Sequence, residues 1–534
     1  MRYPRFSLSS KAFIALISLY FAVVLNVKFW NFICTNVHMD SLNGVIFAFS
    51  LPFFIFIPLY LLFSLIMLPK IGKPLIALLL LLSAAADYAM TNLGVIIDSD
   101  MVRNFAETNL REGSDFITLR SVLYVFFLGL VPAVLIFLTD IRFASFSQEV
   151  KQRLFYNLIA VVLLGVFAST SYKEYVSFGR NNQEVRKYIN TFNYLYAVGR
   201  YHYKQRLLNR QFMVLDEVPV IDKAQTGAPR LLVLVVGETA RAKSFSLYGY
   251  ERETNPELKK QDIVVFNDVA SCGTATAVSL PCMFSAYPRA DFDTAAAPYT
   301  ENLLDIVQKA GYSVFWKDND DGCKGVCKRV ETVDAKDGNK QPYCFGNYCH
   351  DDILLDGLSE RIADVKQDSV IVLHTMGSHG PTYFKRYPEK FKRFTPACDT
   401  ADLQNCTKEQ IVNTYDNTIL YTDYVLSSVI DILKQHPELE SSMLYISDHG
   451  ESLGENNLYL HGFPYKFAPE EQKKVPMILW LSDKMKTAAG LDYQHLRQNS
   501  QTQAYSHDNL FHSVLRLLGV RSKLYDKTLD IFSE

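Results

Sequence analysis

The sequence predicts two parts of different class: an N-terminal transmembrane domain of five helices and a C-terminal α/β domain. Three observations predict this. The first 175 residues are largely apolar and carry five long hydrophobic segments, whereas the remainder has the mixed composition of a globular domain. Within that remainder, helix-length segments separate four short apolar runs, the pattern of buried parallel strands. Each run ends in residues able to do chemistry, and in open α/β sheets ligands bind beyond the carboxyl ends of the strands.

The five candidate spans are Phe13–Ile33, Val45–Leu68, Leu75–Ile97, Val122–Leu138 and Leu154–Ser171. Each is near the ~20 residues that cross a bilayer. The third contains Asp87, which should face a polar interior rather than lipid. The first lacks a small-residue cleavage site and is too long for a removable signal peptide. Arg2, Arg5 and Lys11, then Lys70 and Lys73, then Arg142, Lys151 and Arg153 fall on alternate connections. The positive-inside rule puts these on the cytoplasmic side and the C-terminal domain on the other. Arg103, Arg111 and Arg120 in the remaining connection blunt the bias, but acidic residues accompany them. The net charge of −2 excludes a global basic field for nucleic acid.

Nine cysteines bear on the compartment. Cys34 stands alone, and the rest form close pairs: Cys272 with Cys282, Cys323 with Cys327, Cys344 with Cys349, Cys398 with Cys406. Close pairing in an exported domain favours local disulfides. The alternative is zinc binding, but the intervening lengths of 9, 3, 4 and 7 residues give no repeated C-x-x-C.

The expected division is 1–172 transmembrane, 173–215 an interfacial linker, and 216–534 the α/β domain. The linker mixes aromatics such as Tyr188, Phe192 and Tyr196 with Arg180, Arg186 and Arg200, which suits a membrane interface or a plain amphipathic helix. A turn-rich stretch with Pro219, Gly227 and Pro229 leads into the α/β domain. Its strands are expected at Leu231–Val236, Tyr312–Trp316, Val370–Leu373, Leu444–Ile446 and Val475–Leu481, with a long helix at Ile411–Leu433.

Glu238 follows the first strand, and Asp448-His449 follow the fourth. Carboxylate oxygen and imidazole nitrogen are zinc ligands, and catalytic sites leave one position open. Adjacent Asp and His reach one ion only where the chain turns. In Ser271–Cys282, Thr274, Thr276 and Ser279 all offer a hydroxyl that metal coordination can activate; the plainer reading is a capped, disulfide-braced turn. His379 and His461 each adjoin a glycine, which lets ligands approach closely, although a lone histidine is usually structural. Lys324 can serve phosphate as a point charge or be an ordinary solvated lysine. Asn104, Thr108 and Glu112 repeat every four residues and so share one helical face, which by itself reads as solvent-exposed.

Four segments together resemble the lipid A phosphoethanolamine transferases, both the chromosomal and the mobile colistin-resistance enzymes. They are Gly237-Glu238-Thr239-Ala240-Arg241, Ser271–Cys282, Gly377-Ser378-His379-Gly380-Pro381 and Ser447-Asp448-His449-Gly450-Glu451-Ser452-Leu453-Gly454. The resemblance covers the whole chain and implies a C-terminal domain of alkaline-phosphatase/sulfatase type. It implies a catalytic zinc on Glu238, Thr276, Asp448 and His449, with Thr276 the nucleophile that carries phosphoethanolamine. His379 and His461 would serve the substrate phosphate or a second zinc, and Lys324 would match the family's phosphate-contacting lysine. Asn104, Thr108 and Glu112 would lie near the ethanolamine group. The closeness of Cys323 to Cys327 around Lys324 departs from a family whose disulfide count varies.

The implied enzyme is a monomer of the bacterial inner membrane with its catalytic domain in the periplasm. Phosphatidylethanolamine would be the donor and a lipid A phosphate the acceptor, and the added cation would weaken polymyxin binding. The rivals are a membrane-anchored phosphoglycerol or phosphoethanolamine transferase with another glycan acceptor, a zinc phosphohydrolase, and a non-catalytic lipid sensor. The Asn104, Thr108 and Glu112 face weighs against a phosphoglycerol transferase, and the full ligand set against the sensor. Sulfatase chemistry is not expected, because the chain has no Cys/Ser-x-Pro-x-Arg signature.

Overall fold

The computed structural model describes residues 6–37, 39, 41–92, 94–99, 101–102, 118–208, 210–222, 227–337, 342–346 and 348–533. Asn104, Thr108 and Glu112 lie outside the described residues. The chain forms two compact units, Met1–Arg210 and Gln211–Glu534.

The first unit contains α1 (Ser10–Val24), α2 (Val27–Asn36), α3 (Leu42–Ile66), α4 (Gly72–Asn92), α5 (Leu119–Leu138) and α6 (Phe146–Thr170). Helices α3 to α6 are each long and apolar enough to cross a membrane. The fifth crossing exists only if α1 and α2, bent by 60° at their break, count as one span. The unbroken Phe13–Ile33 helix expected from hydropathy is therefore corrected to a broken one. Polar side chains explain the break. The Asn26 side-chain amide donates to the Phe21 carbonyl (2.7 Å), and its oxygen accepts the Asn190 N–H (2.9 Å). Asp87 Oδ1 accepts the Val27 N–H at the start of α2 (3.2 Å), and Tyr124 donates to Oδ2 (2.6 Å). These side chains satisfy backbone groups that a bilayer interior could not, and they account for a fully buried Asp87. Two further helices, α7 (Tyr172–Asn181) and α8 (Asn190–Leu208), follow. From this region Tyr175, Phe178, Tyr188 and Phe192 pack against the unit's apolar core.

The second unit is built on one seven-stranded sheet. Its strands are β1 (Arg230–Gly237), β2 (Ile263–Val265), β3 (Ser313–Asp318), β4 (Glu331–Asp334), β5 (Ser369–His374), β6 (Glu440–Ser447) and β7 (Met477–Leu481). The spatial order is β2-β7-β6-β1-β5-β3-β4. All pairings are parallel except the two made by β7. Strands β1, β5 and β6 are wholly buried, which is why they read as continuous apolar runs rather than alternating ones. Leu232, Leu234 and Val236 of β1 pack with Phe284, with Val307 of α10 (Leu303–Lys309) and with Phe511 of α13 (Asp508–Leu518). The shorter α9 (Thr276–Met283) precedes Phe284, and α11 spans Leu358–Ala363. Helix α12 (Lys408–Lys434) packs against β6 and starts where Thr407 and Gln410 form a reciprocal cap. All four expected cysteine pairs are bonded, and Cys34 is free.

The register sets the level of the rim. Val236 pairs with His374, His374 with Asp318, and Gly237 with Ser447. Strands β1, β3, β5 and β6 thus end together. At their opposite ends Arg230 and Glu440 are register partners and form a buried ion pair (3.0 Å), with Arg230 also donating to the Leu517 (3.0 Å) and Ala488 (3.3 Å) carbonyls. Glu440→Ala strands a buried guanidinium. Its expected cost is about 3–5 kcal/mol, seen as a lower melting temperature of the second unit in the detergent-solubilised chain, and an unchanged value refutes it.

Candidate active site

The rim gathers the chemistry. Glu238 lies immediately beyond β1, Asp320 beyond β3, His379 in the loop after β5, and Asp448 and His449 beyond β6. Glu238, Asp448 and His449 are fully buried. His449 Nε2 lies 3.5 Å from Glu238 Oε1 and 3.5 Å from Asp448 Oδ2. Asp448 Oδ2 is buried without a hydrogen-bond partner among the described residues. His449 Nδ1 is 3.0 Å from the Gly450 carbonyl; donation there leaves Nε2 with a lone pair toward the carboxylates. Glu238, His449 and His461 each offer a ligand atom within 4.8 Å of the others. Carboxylate oxygens and imidazole nitrogens converging on an orphaned buried carboxylate oxygen fit zinc.

Electrostatics say the same. Burial, then the neighbouring Asp448, raises the Glu238 carboxyl to about 7. Burial raises Asp448 to about 6. Burial and then Glu238 raise Asp320 to about 6. Carboxyls resist ionising together in a buried space, so the cluster calls for a cation. One lies beneath it. Burial alone would lower His374, but the Asp318 hydrogen bond (3.1 Å) and the charges of Asp320 and Asp318 prevail and lift it to about 9.

The three candidate hydroxyls separate by partner. Thr274 donates to the Phe463 carbonyl (2.6 Å), and its own carbonyl accepts the Gly462 N–H (2.7 Å), which ties it to the His461 loop. Ser279 is buried and donates to the Asp448 carbonyl. Thr276, first residue of α9, places Oγ1 2.9 Å from Glu238 Oε2 and 3.4 Å from His449 Nε2. Only Thr276 joins the ligand cluster.

The other expected residues stand nearby in different settings. The His379 and His461 rings lie 5.6 Å apart, and the His461 ring lies 4.4 Å from that of His449. His461 Nδ1 pairs with Glu451 (3.1 Å). Lys324 is half-buried, donates to the Asp321 carbonyl (2.7 Å) and acts electrostatically on Asp320.

Two glycines are steric necessities. A Cβ on Gly377 would lie 2.4 Å from the Glu238 carbonyl oxygen, and one on Gly450 would lie 2.1 Å from that of Glu471. Gly377 also holds φ +53°, which suits glycine. Sequence reasoning gave no role to Asp351 or His507. Asp351 accepts the Met376 and Gly377 amides (2.8 and 2.9 Å) and so fixes the His379 loop. His507 Nδ1 accepts the Cys272 N–H (3.1 Å), and Nε2 reaches the Ser447 carbonyl (2.9 Å), bridging the Thr276 and Asp448 segments. Burial holds His507 neutral, down to about 3. Asp351 sits in an unremarkable turn, and His507 lies alone in Ser506-His507-Asp508; neither carries a local signal.

Comparisons with known proteins match both units of the chain. The sulfatase family matches residues 230–520, and the phosphoethanolamine transferase EptA/EptB family matches residues 55–206. The phosphoethanolamine transferase EptA of Escherichia coli K12 is 42% identical over 98% of this chain and 97% of its own length. An integral membrane lipooligosaccharide phosphoethanolamine transferase A from Neisseria meningitidis superposes with a TM-score of 0.65 at 40% identity, covering 99% of both chains. The periplasmic domain of EptC from Escherichia coli, crystallised as a complex with Zn, matches with a TM-score of 0.51 at 26% identity over 59% of this chain and 90% of that one.

The raised carboxyls fix a pH dependence. Glu238 and Asp448 bind protons more tightly folded than unfolded. Their contribution to metal-free stability is full below about pH 4 and is lost as pH rises through about 6 to 7. Zinc needs the deprotonated forms, so its stabilisation should run the other way. The rise in melting temperature on adding zinc to chelator-treated chain should be small near pH 5 and large near pH 8. A rise that shrinks with pH would rule out a metal on these carboxylates.

Proposed function

The chain belongs to the EptA/EptB phosphoethanolamine transferase family, and we propose that it transfers phosphoethanolamine from phosphatidylethanolamine to a phosphate of lipid A, with Thr276 as nucleophile. The observation that carries this reading is the Thr276 hydroxyl, 2.9 Å from Glu238 and 3.4 Å from His449 at the start of a helix. The enzyme spans the membrane with its catalytic domain in the periplasm; we further propose that the membrane is the inner one and that the enzyme acts as a monomer.

Glu238, Thr276, Asp448 and His449 would hold the catalytic zinc. Zinc bound there supplies positive charge that lowers the Thr276 pKa and neutralises phosphoryl oxygens. Glu238 Oε2 orients the Thr276 hydroxyl through their hydrogen bond. The hydroxyl oxygen attacks the donor phosphorus, the bond to the diacylglycerol oxygen breaks, and that oxygen takes up the proton given up by Thr276. A phosphoethanolamine–threonine diester remains. A hydroxyl oxygen of the lipid A phosphate then attacks the same phosphorus, the bond to Thr276 breaks, and the proton given up by that phosphate hydroxyl passes to the Thr276 oxygen, restoring the threonine hydroxyl.

The remaining residues position substrate. The Val278 and Ser279 amides both bond to the Ala275 carbonyl, so the Thr276 and Ala277 amides precede the helical ladder and suit phosphoryl oxygens. His379 and His461 serve the substrate phosphate or a second ion, and Lys324 offers it a point charge. Recognition of the ethanolamine group is assigned to Asn104, Thr108 and Glu112, a carboxylate being chemically suited to an ammonium group. The product gains a cation, which reduces the attraction of polymyxins and other cationic peptides.

Mass spectrometry of lipid A tests this in a Gram-negative host lacking its own transferase. The wild-type chain should give a phosphoethanolamine adduct, and Thr276→Ala should reduce it by at least about 1,000-fold. No adduct from folded, zinc-loaded wild type refutes the acceptor. An undiminished adduct from Thr276→Ala refutes the nucleophile.

A further inference from the structure

Thr239 follows Glu238 directly and is fully buried with φ +59°. A β-branched residue in the left-handed region is an outlier that persists only where its surroundings hold it. Here the surroundings use every polar group it has. Its hydroxyl donates to Glu238 Oε1. Its N–H donates to Asp448 Oδ1 (3.1 Å). Its carbonyl accepts the Tyr415 hydroxyl (2.7 Å), which in turn accepts the Arg241 N–H (3.0 Å). Arg241 lies over the Tyr415 ring at 5.4 Å and pairs with Glu455 (2.6 Å).

The consequence is a division of labour within each carboxylate. On Glu238, the Thr239 hydroxyl engages Oε1 while Oε2 meets the Thr276 hydroxyl. On Asp448, the Thr239 and His449 amides engage Oδ1, while Oδ2 has no hydrogen-bond donor among the described residues and lies 3.5 Å from His449 Nε2. One residue therefore orients both acids, which come from different strand ends. An extended backbone at 239 would turn the N–H and the hydroxyl away from that shared position.

We propose that Thr239 is a positioning residue, held in a strained conformation so that its amide and hydroxyl set the two carboxylates for the metal. The inference rests on the metal reading of Glu238, Asp448 and His449 given above. Groups that orient metal ligands typically govern affinity by about 10–100-fold when removed.

The test uses metal-free full-length chain in detergent. Zinc affinity is read by competition with a chromogenic chelator, and melting temperature is read without metal. Thr239→Ser keeps the hydroxyl and should hold zinc within about threefold of wild type. Thr239→Val keeps the shape without the hydroxyl and should weaken zinc about 10–100-fold. Thr239→Gly also lacks the hydroxyl but accepts the backbone conformation freely. It should lose zinc affinity as Thr239→Val does, with a metal-free melting temperature equal to or above wild type. Wild-type affinity in Thr239→Val or Thr239→Gly overturns the proposal. So does a fall in the metal-free melting temperature of Thr239→Gly, which would mark a merely structural role. A Glu238→Gln arm separates the underlying reading: if it binds zinc like wild type, the metal assignment fails and takes this inference with it.

Discussion

Buried negative charge at the carboxyl rim of the sheet is the constraint on which the rest of the catalytic domain depends. Glu238 and Asp448 are fully removed from water, and Asp320 nearly so. Taking carboxylates out of water is unfavourable unless charge or hydrogen bonds replace the lost hydration. His374 supplies part of the compensation from below, held by Asp318, which also accepts the Trp316 indole N–H at 2.8 Å. Among the described residues Asp448 Oδ2 accepts no hydrogen bond, with His449 Nε2 standing 3.5 Å away. The unmet demand is local and specific in shape, and a divalent cation with oxygen and nitrogen ligands meets it. The same demand sets the chemistry: a cation strong enough to settle these acids also favours threonine oxygen as an anion.

Such a cluster folds only if the loops around it leave no freedom, and the framework shows how this is done. Asp351 ties down the His379 loop from the β4–β5 connection. His507, at the start of α13, joins the Thr276 segment to the Ser447 carbonyl. The Cys272–Cys282 bond closes the Thr276 segment on itself. Gly377 and Gly450 let backbone approach where a methyl group would collide with a carbonyl oxygen. These devices come from separate stretches of chain, so the site is assembled by the sheet rather than by any local motif.

That origin explains what the sequence made legible. Strands β1, β5 and β6 were readable because burial on both faces gives each a continuous apolar stretch, and β3 because Val314–Trp316 is buried, and the residues beyond them could be listed. Strand β7 was readable as buried but not as antiparallel, since direction is set by pairing with β6 and leaves no mark in Val475–Leu481. The edge strands β2 and β4 were missed because three or four residues, exposed throughout in β4, make no pattern. In the first unit, hydropathy found the spans but not the break between α1 and α2. Asn26 looks innocuous until Asn190, far along the chain, donates to it and Asp87 accepts the N–H of the next residue, Val27. Glu238, Asp448 and His449 stood out because their residue types imply chemistry. Thr239, Asp351 and His507 did not, because their importance lies in what they hold.

The choice among hydroxyls shows why residue type alone is not enough. Thr274, Thr276 and Ser279 are chemically similar and lie within six residues, so sequence ranks them equally. The fold ranks them by giving two of them other work. The Thr274 hydroxyl donates to the loop bearing Phe463, and the Ser279 hydroxyl donates to the backbone of Asp448. A hydroxyl that has donated to a carbonyl is a held group, and freeing it for attack would undo the loop it secures. Thr276 donates instead to Glu238, a partner that deprotonation of the hydroxyl and arrival of a cation would both release. Its position at the first turn of α9 adds the partial positive charge of the helix start to any phosphoryl group it carries. Thr276 is thus the hydroxyl of the three whose ground-state bond is easiest to exchange, and the neighbouring hydroxyls leave it so by fixing everything around it.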